Sequence, residues 1–268
     1  MQDKISLLNA DIIMAYRGAT PERVENLYTI IRHFDLTYCD YRILLMEADA
    51  APTFEWAKLA DPKVQHTFIA NSGPFPKALL YNTGAKLSNA KILVFNDVDC
   101  IAEPKMLALC VFELITHQAH DVLAPFMPMI DIAGALKQKF VAHPSYEYLQ
   151  GIDKDALVED SSLLYERNAG GVFIFKRPDF IRIGGLDSRF VGWGGEDNEL
   201  LWRAQRLGLR WSSTPQPLFH LHHASANRGE WGVMTAEGRS NGEMAGDVQT
   251  MPIEELQALA DELHQFFV

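Results

Sequence analysis

The sequence predicts an α/β fold with a mainly parallel central sheet and helices on both faces. Three observations carry it. Short continuous apolar runs alternate with amphipathic helical stretches, as strands buried on both faces require. Helix-start signals follow the strands directly, and acidic residues stand at the end of an apolar strand, where open α/β sheets place their ligands. At 268 residues, with 48% hydrophobic and 22% charged content, the chain is long enough for a complete core. We expect one domain over 1–268, built of two halves at 1–126 and 127–250.

The run DIIMAY (11–16) reads as the first buried strand. Thr20-Pro21-Glu22 then supplies an N-cap, a proline at the first helical position and an early acid. Val24, Leu27, Tyr28, Ile31 and Phe34 keep the spacing of one helical stripe. The alternation repeats through RILLME (42–47), HTFIA (66–70), a helix over 77–90, KILVFN (91–96), a helix opened by Glu103-Pro104, and DVLAPF (121–126). Residues 127–170 show no strong period, and so long a connection in a compact domain usually shapes a site. GVFIF (171–175) is a strand, and EDNELLWRAQRLG (196–208) a helix with Leu200, Leu201, Ala204 and Leu207 on one face. Strands WSST (211–214) and LFHLH (218–222) follow.

Residues 229–250 hold five glycines and few bulky apolar groups, so a mobile loop is expected over 224–246. The chain closes with an amphipathic helix over 251–268 that turns Ile253, Leu256, Leu259, Leu263 and Phe266 inward.

Charge and cysteine usage exclude several function classes. A net charge of −11 argues against broad binding to nucleic acid or an anionic membrane. Eight of the acids and only one base, Arg239, fall within 229–268, so the excess acidity is mostly C-terminal. Cys39, Cys100 and Cys110, an odd number in apolar surroundings, read as buried thiols of a reducing compartment. The longest apolar stretch, 106–115, is too short to span a bilayer and contains Glu113. These readings place the protein in the cytoplasm, with room for peripheral association at the inner face of the membrane.

Three clusters could carry chemistry. Asp97 and Asp99 leave the carboxyl end of KILVFN, where two carboxylates suit a hard divalent cation. A lone D-x-D is weak, since acids commonly cap strands and turns. His220, His222 and His223 end another apolar strand. An extended chain puts His220 and His222 on one face, whereas a turn brings His220 to His223. Imidazole with carboxylate suits Mn²⁺, Zn²⁺ or Fe²⁺ better than Ca²⁺. The stretch Gly192-Trp193-Gly194-Gly195-Glu196-Asp197 presents a tryptophan between glycines just before a helix, with two acids at the helix start. An acid-capped helix after a glycine turn explains the acids but not Trp193, whose face stacks well on a sugar ring.

Together these motifs resemble the metal-dependent glycosyltransferases of GT-A (Rossmann-like) fold with a galactosyltransferase-type C-terminal motif, the β4-galactosyltransferases and bacterial chondroitin-polymerase-like enzymes. The resemblance rests on MAYR, PFPKALLYNTGAKLSNAKILVFNDVD, NAGGVFIFKRPDFIRIGGLD, FVGWGGEDNELLWR, HLHH and ASANRG, in that order. It implies that Asp97 contacts the ribose or donor sugar, that Asp99, His220 and His223 hold Mn²⁺ or another divalent cation, and that Asp197 is the catalytic base. It further implies that Glu196 holds a sugar hydroxyl, that Trp193, Gly194 and Gly195 line the sugar site, and that Arg17 and Arg228 lie near the nucleotide and its diphosphate. The partners implied are a nucleotide-sugar donor, with UDP as nucleotide, and a glycan or glycolipid acceptor, in an inverting hexosyl transfer of bacterial surface polysaccharide synthesis.

Two departures stand out: Asn198 where the galactosyltransferases carry another acid, and His220 where their ligand is a methionine. A metal-dependent hydrolase would use the same Asp and His cluster but gives Trp193 no role. A non-catalytic sugar-nucleotide-binding protein would have no need of Asp197.

Overall fold

The computed structural model describes residues 3–55, 62–117, 119–167, 170–192, 194–224 and 236–268. Its large sheet has seven strands in the order β10-β6-β9-β4-β1-β2-β3. Strand β1 (Ile5–Tyr16) pairs in parallel with β2 (Tyr38–Asp49) and β4 (Ile92–Asn96), and β2 with β3 (Val64–Ala70). Strand β9 (Val172–Lys176) is the exception to the parallel rule: it lies antiparallel between β4 and β6 (Val122–Ala124), and β10 (Trp211–Ser213) extends the edge in parallel.

The helix signals are realised in the side chains. Thr20 accepts from Arg23 N at the start of α1 (Pro21–Thr37), and Glu103 accepts from Met106 N at 2.5 Å at the start of α3 (Pro104–Thr116). Helix α2 (Lys77–Leu87) buries Ala78, Leu80, Tyr81 and Ala85. Two apolar cores form on the two faces of the sheet: Ile12, Met14, Ile43 and Val94 belong to one, Ile13, Leu44, Leu93 and Phe95 to the other. That alternation along β1, β2 and β4 follows from the period of two in an extended chain.

A second, four-stranded sheet runs β5-β11-β7-β8, with β5 (Cys100–Ile101), β11 (Leu218–Leu221), β7 (Met129–Ile132) and β8 (Ser161–Tyr165). It occupies much of the 127–170 stretch that has no clear period in the sequence, together with α4 (Gly134–Ala142); the short α5 (Arg177–Arg182) follows β9. These strands are two to five residues long, too short to print a pattern.

Three expectations need correction. The glycine-rich stretch expected as a mobile loop over 224–246 is helical from Ala236, as α7 (Ala236–Thr250), and Asn241, Ala245 and Val248 are buried. Its packing against α6 (Glu196–Arg206) overrides the low helix propensity of glycine. Residues 225–235 lie outside the described residues. Ile253, expected inward, is exposed on α8 (Ile253–His264), because α8 docks through Leu256 and Ala260. Cys39, the second residue of β2, is half-buried rather than buried; Cys100 and Cys110 are buried free thiols as expected. Among the described residues no helix is long and apolar enough to cross a membrane.

Candidate active site

The two sheets meet where β4 ends. Asp97 N donates to Gly171 O, and three residues later β5 pairs antiparallel with β11, setting His220 opposite Cys100. Leu221 N donates to Asp99 O at 2.7 Å. This short ladder brings the carboxylate of Asp99 to the histidines, although more than a hundred residues separate them.

Asp99 Oδ2 lies 3.1 Å from His223 Nε2 and 3.8 Å from His220 Nε2, and ligand atoms of the three residues fall within 4.8 Å of one another. Of the two arrangements open in the sequence, the turn that joins His220 with His223 is the one formed. Asp99 and His220 are buried, His223 nearly so. Burial raises the Asp99 carboxyl, but His220, a hydrogen bond from His223 and the nearby Arg23 outweigh it and hold the group well below the usual carboxylate range. An anionic carboxylate beside two imidazoles is a donor set that fits a divalent cation such as Mn²⁺, Zn²⁺ or Fe²⁺. The other oxygen, Oδ1, accepts from the Cys100 thiol at 3.6 Å.

The second cluster centres on a lysine. Gly192 N donates to Phe75 O at 3.0 Å, tying the loop before α6 to the loop before α2. Lys77, in the first turn of α2, thereby reaches Asp97 Oδ2 at 3.3 Å, Glu196 Oε1 at 3.3 Å and Asp197 Oδ2 at 3.0 Å. Tyr81, one turn later, donates to Asp97 Oδ1 at 2.6 Å. Burial disfavours the charge on Lys77, yet Asp197, Asp97 and Glu196 outweigh it and hold the ammonium charged far into the alkaline range.

Burial raises the Asp197 carboxyl, Lys77 pulls it down, and Glu196 and Asp97 raise it again, so that it is pushed up to about 7 in all. Among the described residues its buried Oδ1 has no hydrogen-bond partner. Gly170 packs so close that a Cβ there would overlap Asp197 Oδ2. A buried carboxylate poised near neutrality is suited to take a proton from a hydroxyl.

Glycine geometry places these acids. Gly192, Gly194 and Gly195 all have φ between 79° and 90°, a conformation that side chains disfavour. A Cβ on Gly195 would stand 2.8 Å from Asn241 O of α7. Both clusters open into one cavity of about 750 Å³, lined also by Gly194, Gly195, Asn198, Gly242 and Ala245.

Arg17 lines this cavity too, but three of its donors are committed to Ala48 O, Gly73 O and Asn71 O, so it braces the loops at the ends of β2 and β3. Trp193 and Arg228 lie outside the described residues. Lys77, Tyr81, Arg23 and Asp131 are contributors that the sequence did not single out. For Lys77 a signal existed: it sits inside PFPKALLYNTG, one of the stretches that carry the resemblance.

With this geometry in hand, comparison with known proteins decides the fold. A family described as "N-terminal domain of galactosyltransferase" matches residues 159–224. Over 95% of this chain and 73% of the other, the structure matches the mannosyltransferase PcManGT from Pyrobaculum calidifontis, in complex with GDP-Man and Mn²⁺, at a TM-score of 0.50 and 15% identity. It matches GalNAc-T7, in complex with UDP, GalNAc and Mn²⁺, at a TM-score of 0.57 and 14% identity, covering 97% of this chain and 56% of that one. The fold is GT-A. In sequence, the GT-A chain is 28% identical over 161 residues to human chondroitin sulfate N-acetylgalactosaminyltransferase 1, covering 59% of this chain and 29% of that protein. It is 36% identical over 76 residues to mouse N-acetyl-beta-glucosaminyl-glycoprotein 4-beta-N-acetylgalactosaminyltransferase 1, covering 28% of this chain and 7% of that protein. The chain thus spans less than a third of the length of these relatives.

Proposed function

We propose that the chain is a metal-dependent, inverting glycosyltransferase that moves a sugar from a nucleotide donor to a hydroxyl of a glycan or glycolipid acceptor. The observation that carries this reading is the presence in one cavity of an Asp–His–His cluster suited to a cation and, beside it, a buried carboxylate poised near neutrality. The resemblance to galactosyl- and N-acetylgalactosaminyltransferases supports UDP as the nucleotide. A bacterial surface polysaccharide, built at the inner face of the membrane, is the setting we assign.

Asp99, His220 and His223 would hold the ion, Mn²⁺ by likeness to the GT-A structures. When bound, the cation neutralises the donor diphosphate and stabilises it as a leaving group, a task the net charge of −11 makes necessary. Asp97, held by Tyr81 and Lys77, offers a fixed carboxylate to donor hydroxyls. Asp197 takes the proton of the acceptor hydroxyl as that oxygen bonds to the anomeric carbon and the bond to the nucleotide diphosphate breaks. One displacement of this kind inverts the anomeric configuration. Glu196, beside it, orients a sugar hydroxyl, and the roles of Trp193 at the sugar and Arg228 at the diphosphate rest on the resemblance alone.

Incubation with a panel of nucleotide sugars and Mn²⁺, following nucleotide release with and without glycan acceptors, tests the proposal. Acceptor-dependent release supports it. Cleavage of non-sugar esters, or binding without release, overturns it in favour of a hydrolase or a binding protein. Asp99→Ala should abolish Mn²⁺-dependent turnover, whereas Asp197→Asn should keep donor and metal binding and lower transfer by roughly 10²-fold or more.

A further inference from the structure

Strand pairing gives the Asp–His–His cluster a fourth member. In the parallel ladder of β7 and β11, Asp131 stands opposite His220, and His222 N donates to Ile132 O at 3.0 Å. The Asp131 carboxylate divides its oxygens between two histidines. Oδ1 lies 2.7 Å from His220 Nδ1, and Oδ2 lies 2.7 Å from His222 Nδ1.

A carboxylate only accepts, so each ring must donate from Nδ1. In neutral His220 this leaves the lone pair on Nε2, the nitrogen that faces Asp99. His222 meets the same carboxylate from the outside, with 57% of its side chain exposed, and Asp131 itself is 12% exposed.

We propose that Asp131 is the positioning residue of the cation site: it fixes the ring and tautomer of His220 so that Nε2 is presented for ligation, and it makes His222 a buttress instead of a ligand. This rests on the reading that Asp99, His220 and His223 hold the ion. It says why His220, and not His222, joins His223 as a ligand. An asparagine at 131 could not replace the carboxylate, since it offers one acceptor and one donor group. One of the two rings would face an N–H and be driven to the opposite tautomer.

Two measurements test this, neither of which depends on turnover. The ¹⁵N shifts of the histidine rings in the metal-free wild-type chain should show His220 with its proton on Nδ1; a proton on Nε2 would overturn the proposal without any variant having to fold. Calorimetric titration with Mn²⁺ should then show Asp131→Asn and Asp131→Ala binding about 10- to 100-fold more weakly than wild type. His222→Ala should stay close to wild type, and His220→Ala should lose binding. Wild-type affinity in both Asp131 variants, alongside loss in His220→Ala, refutes the positioning role alone. Loss in His222→Ala as large as in His220→Ala makes His222 a ligand and refutes the assignment. A wild-type chain that takes up no Mn²⁺ removes the cation site, and the proposal with it.

Discussion

Replacing Lys77 by methionine removes the cation shared by Asp97, Glu196 and Asp197 while keeping the length of the side chain. With the Asp197 carboxyl pushed up to about 7 by its burial and neighbouring acids, a base-dependent rate should be low in acid and rise through about pH 7 as the carboxylate forms. Lys77 Nζ, 3.0 Å from Asp197 Oδ2, is the group that pulls that value down. An opposite charge at such range is typically worth 1–3 pKa units, so its loss should move the acid limb to between about pH 8 and 10. At pH 7 the ionised fraction would then fall from about half to between roughly a tenth and a thousandth.

The assay is kcat/KM for sugar transfer from about pH 6 to 9 at saturating Mn²⁺, for wild type, Lys77→Met and Lys77→Arg. Arginine keeps the charge and should retain a limb near that of wild type. A limb in Lys77→Met that stays near 7 or moves to lower pH would refute the argument that Lys77 sets the ionisation of the base.

Two further substitutions probe how the acids are seated. Gly170→Ala puts a methyl group into the space of Asp197 Oδ2, so transfer should fall by about 10²-fold through misplacement of the base, with Mn²⁺ affinity unchanged by calorimetry. Arg203→Met should cost about 3–5 kcal/mol in a urea denaturation series, since it strands the buried Glu199 carboxylate, which Arg203 meets at 2.6 Å, and frees the carbonyls of Ile183 and Gly185.

The parts of the site that were legible in the sequence are those written locally. Thr20-Pro21 and Glu103-Pro104 announce helix starts within three residues, and the apolar run before Asp97 marks both the strand and the end at which its acids emerge. His220 with His223, and Glu196 with Asp197, are likewise close in sequence. What could not be read depends on distant pairing. Asp131 lies 89 residues from His220 and becomes its partner only through the register of a four-residue strand. Lys77 looks like an ordinary solvent-facing helix start until Asp197, 120 residues away, folds over it. Helix α7 was hidden by composition: Gly238, Gly242 and Gly246 suppress helix propensity, yet they recur every fourth residue. That spacing was a signal for a helix, and the contact with α6 is what makes the helix worth forming.

The ladder between β5 and β11 separates two inheritances. Asp99 stands in the turn that carries the chain from β4 of the main sheet into β5 of the small one, whereas His220 rides on β11 and is held beside that turn by its antiparallel pair with Cys100. A change of side chain at position 220 therefore exchanges one ligand for another without disturbing the acids or the lysine that orders them. The preferred ion becomes a replaceable part. A designer wanting a softer or harder metal could graft it at this one strand position, retuning Asp131 behind it, and leave the rest of the cavity alone.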